Sequence, residues 1–132
     1  MRWSNAPGAG FTEAGVRPWL PLGDSTARNV ADQQRDPQST LSFVRDLIAV
    51  RRQCPDLRSG TYRQLPSPAD AWVWQRGPDT TIALNLSDKP VQIPAIRGTV
   101  VIRTTRSRDG ERLEGGLSLG PWEGAICSSA ST

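Results

Sequence analysis

DPQSTLSFVRDLIAVRRQCPDL, Asp36 to Leu57, is the one stretch of this 132-residue chain with a sustained helical pattern, and it divides two halves of different composition. Asp36 suits an N-cap, because its short acceptor side chain reaches the free amides of a first turn, and Pro37 suits the first helical position, where no amide donor is needed. Pro55 disfavours helical geometry at Cys54 and cannot continue the amide ladder, and Gly60 offers a turn beyond it. The spacing predicts a helix from Pro37 to about Gln53. At about 100° per residue, Leu41, Phe43, Val44, Leu47, Ile48, Val50 and Cys54 fall in one arc of roughly half the circumference, opposite Arg45, Asp46, Arg52 and Gln53. That arc asks for a wide apolar partner. Arg51 lands near its middle, where an unpaired guanidinium is costly. Either its stem is buried and its head paired with a carboxylate or carbonyl, or it snorkels to the rim.

Downstream the period changes from helical to alternating, and about seven short strands are predicted between turn residues. They are Thr61 to Leu65, Ala71 to Arg76, Thr80 to Leu86, Val91 to Ile93, Val100 to Thr104, Leu113 to Leu119 and Ala125 to Cys127. The second and third form a hairpin through Gly77-Pro78-Asp79. Their spacing predicts an antiparallel β-sandwich or open barrel, so the chain reads as mainly β, α+β overall. Upstream, Met1 to about Arg35 has little periodicity and many Gly, Pro, Asn and Asp residues, a long irregular segment. It carries Trp3, Phe11, Trp19, Leu20 and Leu22, which a solvated linker would not hold and which are expected to dock on something.

Composition narrows the chemistry. An apolar fraction of 36% allows only a modest core. The net charge of +3 comes from fifteen Arg and one Lys spread along the chain. The densest cluster, Arg103, Arg106, Arg108 and Arg112, is interrupted by Asp109-Gly110 and accompanied by Glu111 and Glu114, which reads as a solvated hairpin tip and not as a nucleic-acid surface. The chain has no His, which removes Ser-His and Cys-His nucleophile pairs and makes a zinc site improbable. Cys54 and Cys127 show neither metal-ligand spacing nor a disulfide framework; two reduced, buried thiols and a cytoplasmic setting are expected. No stretch has the apolar core of a signal peptide or of a membrane span, so a soluble, unexported chain with no membrane partner is expected.

Catalysis without His would rest on the thirteen carboxylates, as in glycosidases, where one carboxyl is the acid and another the nucleophile or base. No pair stands out. Asp70, Asp79, Asp88 and Asp109 adjoin turn residues and are explained by turn hydrogen bonding, whereas Asp32, Asp36 and Asp46 precede, cap or face out from the helix. No metal or other cofactor is expected. Trp72 and Trp74 share one strand face. They can stack on a sugar or base, or they can cover the helix or the opposite sheet.

Several residues carry a resemblance beyond these patterns. Met1-Arg2-Trp3-Ser4-Asn5-Ala6-Pro7-Gly8-Ala9-Gly10-Phe11, Pro18-Trp19-Leu20-Pro21-Leu22, Asn29-Val30, Gln33, Asp36-Pro37, Leu47 to Arg52, Pro55 and Leu57-Arg58-Ser59-Gly60 together resemble the C-terminal part of the α-glucosidases. These belong, with oligo-1,6-glucosidase and trehalose synthase, to the α-amylase superfamily, glycoside hydrolase family 13. Ala83 to Asp88 looks like the central strand and turn of that family's C-terminal β-domain. The resemblance implies that residues 1–35 correspond to the segment after the last strand of a (β/α)8 barrel, 36–58 to its last helix, and 59–132 to the appended β-domain.

The family's two Asp and one Glu catalytic residues, with their partner histidines, sit on loops after earlier barrel strands, so a chain without His lacks that constellation. It is expected to be inactive alone, with the missing barrel as its partner. Met1 coincides with an internal Met of the family motif, which implies a truncated product, a mis-called start or a fragment. Arg2, Trp3, Asn5 and Phe11 resemble a loop beside the substrate pocket, although Ser4 stands where the family has Asp. Two function classes follow: a structural module of a glycoside hydrolase acting on α-glucosidic bonds in carbohydrate metabolism, or a stand-alone α-glucan-binding module using Trp72 and Trp74.

Overall fold

The computed structural model describes residues 1–130. The chain divides into two compact units, residues 1–46 and 47–132, with the boundary inside a helix.

In the first unit, a 3-10 turn at Pro7–Gly10 is followed by irregular chain and then by α1, Val30–Arg35. Asn29 caps α1: its side-chain oxygen accepts the Asp32 amide at 2.9 Å, satisfying one of the orphan donors of the first turn. The segment expected to be irregular throughout thus contains a helix of one and a half turns. The next helix, α2, is Thr40–Gln53 and starts later than Pro37. Asp36 spends its carboxylate on the Gln38 amide in a turn, 2.9 Å. Ser39, buried, takes over the cap by accepting the Ser42 amide at 3.1 Å, and the Leu41 amide is met by the Gln33 side chain at 3.1 Å.

At its far end α2 stops where Pro55 requires it. Cys54 is extended at φ −96°, ψ 109°, and Pro55 opens a further short helix, α3, Pro55–Ser59. The apolar arc of α2 remains partly open, with Val44 44% and Ile48 46% exposed. Arg51 is exposed, which rules out the reading with a buried stem and a paired head; where the arc is left open to water, the guanidinium is solvated at no desolvation cost.

The second unit is mainly β, as the alternation predicts. It contains β1 (Tyr62–Gln64), β2 (Ala71–Arg76), β3 (Thr80–Asn85), β4 (Val91–Arg103), β5 (Arg112–Leu119) and β6 (Gly124–Ser128). They form one antiparallel sheet in the order β1-β2-β3-β6-β4-β5. Six strands replace about seven because Val91–Ile93 and Val100–Thr104 belong to one 13-residue strand, β4. Pro94 lies within β4. It is tolerated because this half of β4 pairs with β5 alone, β6 joining only from Thr99 onward, so one edge needs no amide donor.

Two register shifts bend β4, between Pro94 and Arg97 and between Val100 and Ile102. Gly98 lies at the first bend with φ +118°, and a Cβ there would collide with the Ser128 carbonyl oxygen, so only glycine fits. The core is the result of this bending. Val73, Ala83, Ala125 and Cys127 from the β2-β3-β6 side meet Ile93, Ile96, Val100, Leu113, Leu117 and Leu119 from the β4-β5 side. Full burial of each Val, Ile or Leu is worth about 1.5–3 kcal/mol.

Candidate functional site

Of the four residues likened to a substrate-side loop, the structure brings two together. Arg2 and Phe11 line a cleft of about 400 Å³ with Met1 and the run Pro18 to Leu22. Trp3 and Asn5 are exposed and not part of its lining. The loop is held by main-chain bonds: the Val30 amide donates to the Arg2 carbonyl at 3.0 Å, the Ala31 amide to the Trp3 carbonyl at 2.9 Å, and the Trp3 amide to the Ala9 carbonyl at 2.8 Å. The start of α1 thereby fixes where Arg2 and Trp3 sit. Arg2 donates to the Asp24 carbonyl. The Asp24 carboxyl is held below the usual carboxylate range, chiefly by the Thr26 hydroxyl and the Ala27 amide. The large apolar residues of this unit do not dock as expected: Trp19 is 94%, Leu20 63% and Phe11 58% exposed.

On the sheet, Trp72 and Trp74 occupy one face of β2, opposite Leu84 and Ile82 of β3. Val73 between them turns into the core at 1% exposure. The two rings lie 4.8 Å apart between centroids at 43°, so they meet edge-on-tilted and form no single flat platform. Trp72 keeps 43% of its surface exposed and Trp74 is half-buried. On the side where β3 and β6 pair, Val50, Cys54 and Leu57 face Val101 and Ile126 across a cleft of about 210 Å³. Cys54 is half-buried there, its Sγ 3.4 Å from the Thr80 hydroxyl, whereas Cys127 is fully buried as expected.

Polar groups that sequence patterns missed organise the rest. Arg103 is not on a solvated hairpin tip; its side chain is completely buried. It donates to the Ser118 carbonyl at 2.8 Å, to Glu111 Oε2 at 2.9 Å and to Glu123 Oε1 at 3.4 Å. Burial pushes the Glu123 carboxyl up, but the Gly120 amide, the Thr105 hydroxyl and Arg103 outweigh it and hold the group below its ordinary value. The remainder of that arginine cluster is solvated, with Arg112 and Glu114 84% and 88% exposed.

Asn85, 2% exposed, ties two turns by donating to the carbonyls of Lys89 and Gly120, each at 2.7 Å. Asp56 of α3 accepts the Asp79 amide at 3.1 Å and the Thr80 hydroxyl at 3.2 Å, docking α3 on the β2-β3 turn. Gly77 in that turn, at φ +57°, leaves room for the Asp56 carboxylate that any Cβ would occupy. Among the described residues, no group of three or more His, Cys, Asp or Glu side chains is placed to hold a metal ion. Among the described residues, no helix is long and apolar enough to cross a membrane.

This sheet is the part of the chain that a protein-family model recognises: residues 57–126 match DUF3459, a domain of unknown function. The chain belongs to this family. DUF3459 here begins at Leu57 in α3 and runs into β6. The expected likeness to the α-glucosidase group is also borne out. The chain is 37% identical over 78 residues to a probable oligo-1,6-glucosidase 2 of Bacillus subtilis, covering 58% of this chain and 14% of that protein. It is 32% identical over 136 residues to a glucan 1,6-alpha-glucosidase of Streptococcus dysgalactiae subsp. equisimilis, covering 99% of this chain and 25% of that protein.

Among solved structures, the trehalulose synthase MutB of Pseudomonas mesoacidophila MX-45 superposes with a TM-score of 0.82 at 27% identity, over 96% of this chain and 24% of that one. The chain thus spans a quarter or less of the length of these relatives, and the match lies in their C-terminal region.

Proposed function

We propose that this chain is the C-terminal structural module of an α-glucosidase-type glycoside hydrolase, acting on α-glucosidic bonds in carbohydrate metabolism, and that it has no hydrolytic activity of its own. The observation that carries the reading is the match of nearly the whole chain to only the C-terminal quarter of a glucan 1,6-alpha-glucosidase. Residues 1–35 then correspond to the end of a catalytic (β/α)8 barrel, 36–58 to its last helix and 59–132 to the β-domain, with the barrel as the natural partner. Arg2, Trp3, Asn5 and Phe11 lie beside the substrate in that assembly.

The fate of the carboxylates supports inactivity. Glu111 and Glu123 serve Arg103, Asp56 serves the β2-β3 turn, and Asp109 accepts the Arg103 amide at 2.7 Å. A retaining glycosidase needs two such groups free and about 5–5.5 Å apart. Two unpaired thiols support a reducing, cytoplasmic compartment. The test is incubation of the purified chain with maltose, isomaltose and a nitrophenyl α-glucoside. No glucose or nitrophenol above the buffer rate is expected, and sustained turnover overturns the reading.

A second reading, α-glucan contact through Trp72 and Trp74, is favoured by the 43% exposure of Trp72 on a sheet face that also leaves Tyr62 exposed. In affinity electrophoresis through gels containing soluble α-glucan, this reading expects retardation that Trp72→Ala removes. Equal mobility with and without glucan rejects it.

A further inference from the structure

We draw no further inference here: the strongest candidate, the exposed apolar patch of Trp122 and Leu86 on adjoining turns at one end of the sheet, is an unpartnered face, and nothing in the structure shows what covers it.

Discussion

Replacing Arg103 by Met keeps an unbranched stem of similar length in the core and deletes the guanidinium, and the structure sets the size of the effect. The arginine head supplies bonds to Ser118, Glu111 and Glu123 from a side chain with 0% exposure. Glu111, whose side chain is 26% exposed, can turn towards water once its partner is gone. Glu123, at 7%, cannot, and stays as a buried carboxylate with one cation fewer. Breaking a buried pair from one side costs about 3–5 kcal/mol, because the remaining charge has lost both water and partner. Set against a total stability of about 5–15 kcal/mol, this is a large fraction. With a urea slope of about 1–3 kcal/mol/M, the unfolding midpoint of the full chain falls by roughly 1–5 M.

Urea titration followed by tryptophan fluorescence and by circular dichroism reads the shift. The exposed pair of Arg112 and Glu114, 3.7 Å apart, provides the control, and Arg112→Ala changes the stability by no more than about 0.5 kcal/mol. If Arg103→Met costs less than about 1 kcal/mol, or no more than Arg112→Ala, the reading of Arg103 as the polar centre of the sheet is wrong. The triple variant Arg103→Met, Glu111→Gln, Glu123→Gln removes all three charges and recovers part of the loss, since the unpaired carboxylate is the main cost.

Two further outcomes follow from the same region. Because the Glu123 carboxyl is held below its ordinary value of 4.5 in the folded chain, the stability it confers is fully present above that value and is lost as pH falls through its lower folded value. Acid titration of wild type and Glu123→Gln followed by circular dichroism should therefore show curves that differ at neutral pH and converge in acid; a gap that is constant with pH contradicts the assignment. For the thiols, burial pushes Cys127 up to about 11, with the Arg103 charge opposing and the Glu111 charge adding to it, while Cys54 is half-buried beside a cleft. Iodoacetamide at pH 8 followed by mass spectrometry is expected to place one label, on Cys54, in the folded chain and two in urea. Rapid labelling of Cys127 without denaturant would show that the core opens.

The parts of this molecule that were legible in the sequence are those governed by unbroken periodicity or by a residue with one steric solution. Pro55 ended α2 where expected, because a proline clash depends on no partner. The alternation of β2 separated Val73 from Trp72 and Trp74 correctly, because β2 and β3 run without a bulge and their register is continuous over six residue pairs, but which face is the core came only from the structure. Helix starts were less legible. Asp36 and Ser39 are both good caps by composition, and the choice was made by Gln33, a residue outside the helix whose carbonyl and side chain engage Ser39, Ser42 and Leu41.

Arg103 shows most clearly what a local pattern misses. Counting by twos from the buried Val100 puts Ile102 inside and Arg103 outside, among charges next to an Asp-Gly turn, and a solvated tip is the natural reading. The register says otherwise: Val100 pairs with Cys127 and Arg103 with Ala125, both core-facing residues of β6, while Ile102 pairs with Ile126 on the other face. Val101 is the extra residue of a bulge, and one extra residue reverses the face of everything after it. The bulge thus carries an arginine into a core of Val, Leu and Ala, and only the prior placement of Glu111, Glu123 and the Ser118 carbonyl makes that position tolerable. The bulge absorbs Val101 so that Ile102 stays opposite Ile126 and Arg103 opposite Ala125, and a deletion of Val101 would therefore straighten β4 yet leave Arg103 facing the core beside Glu123.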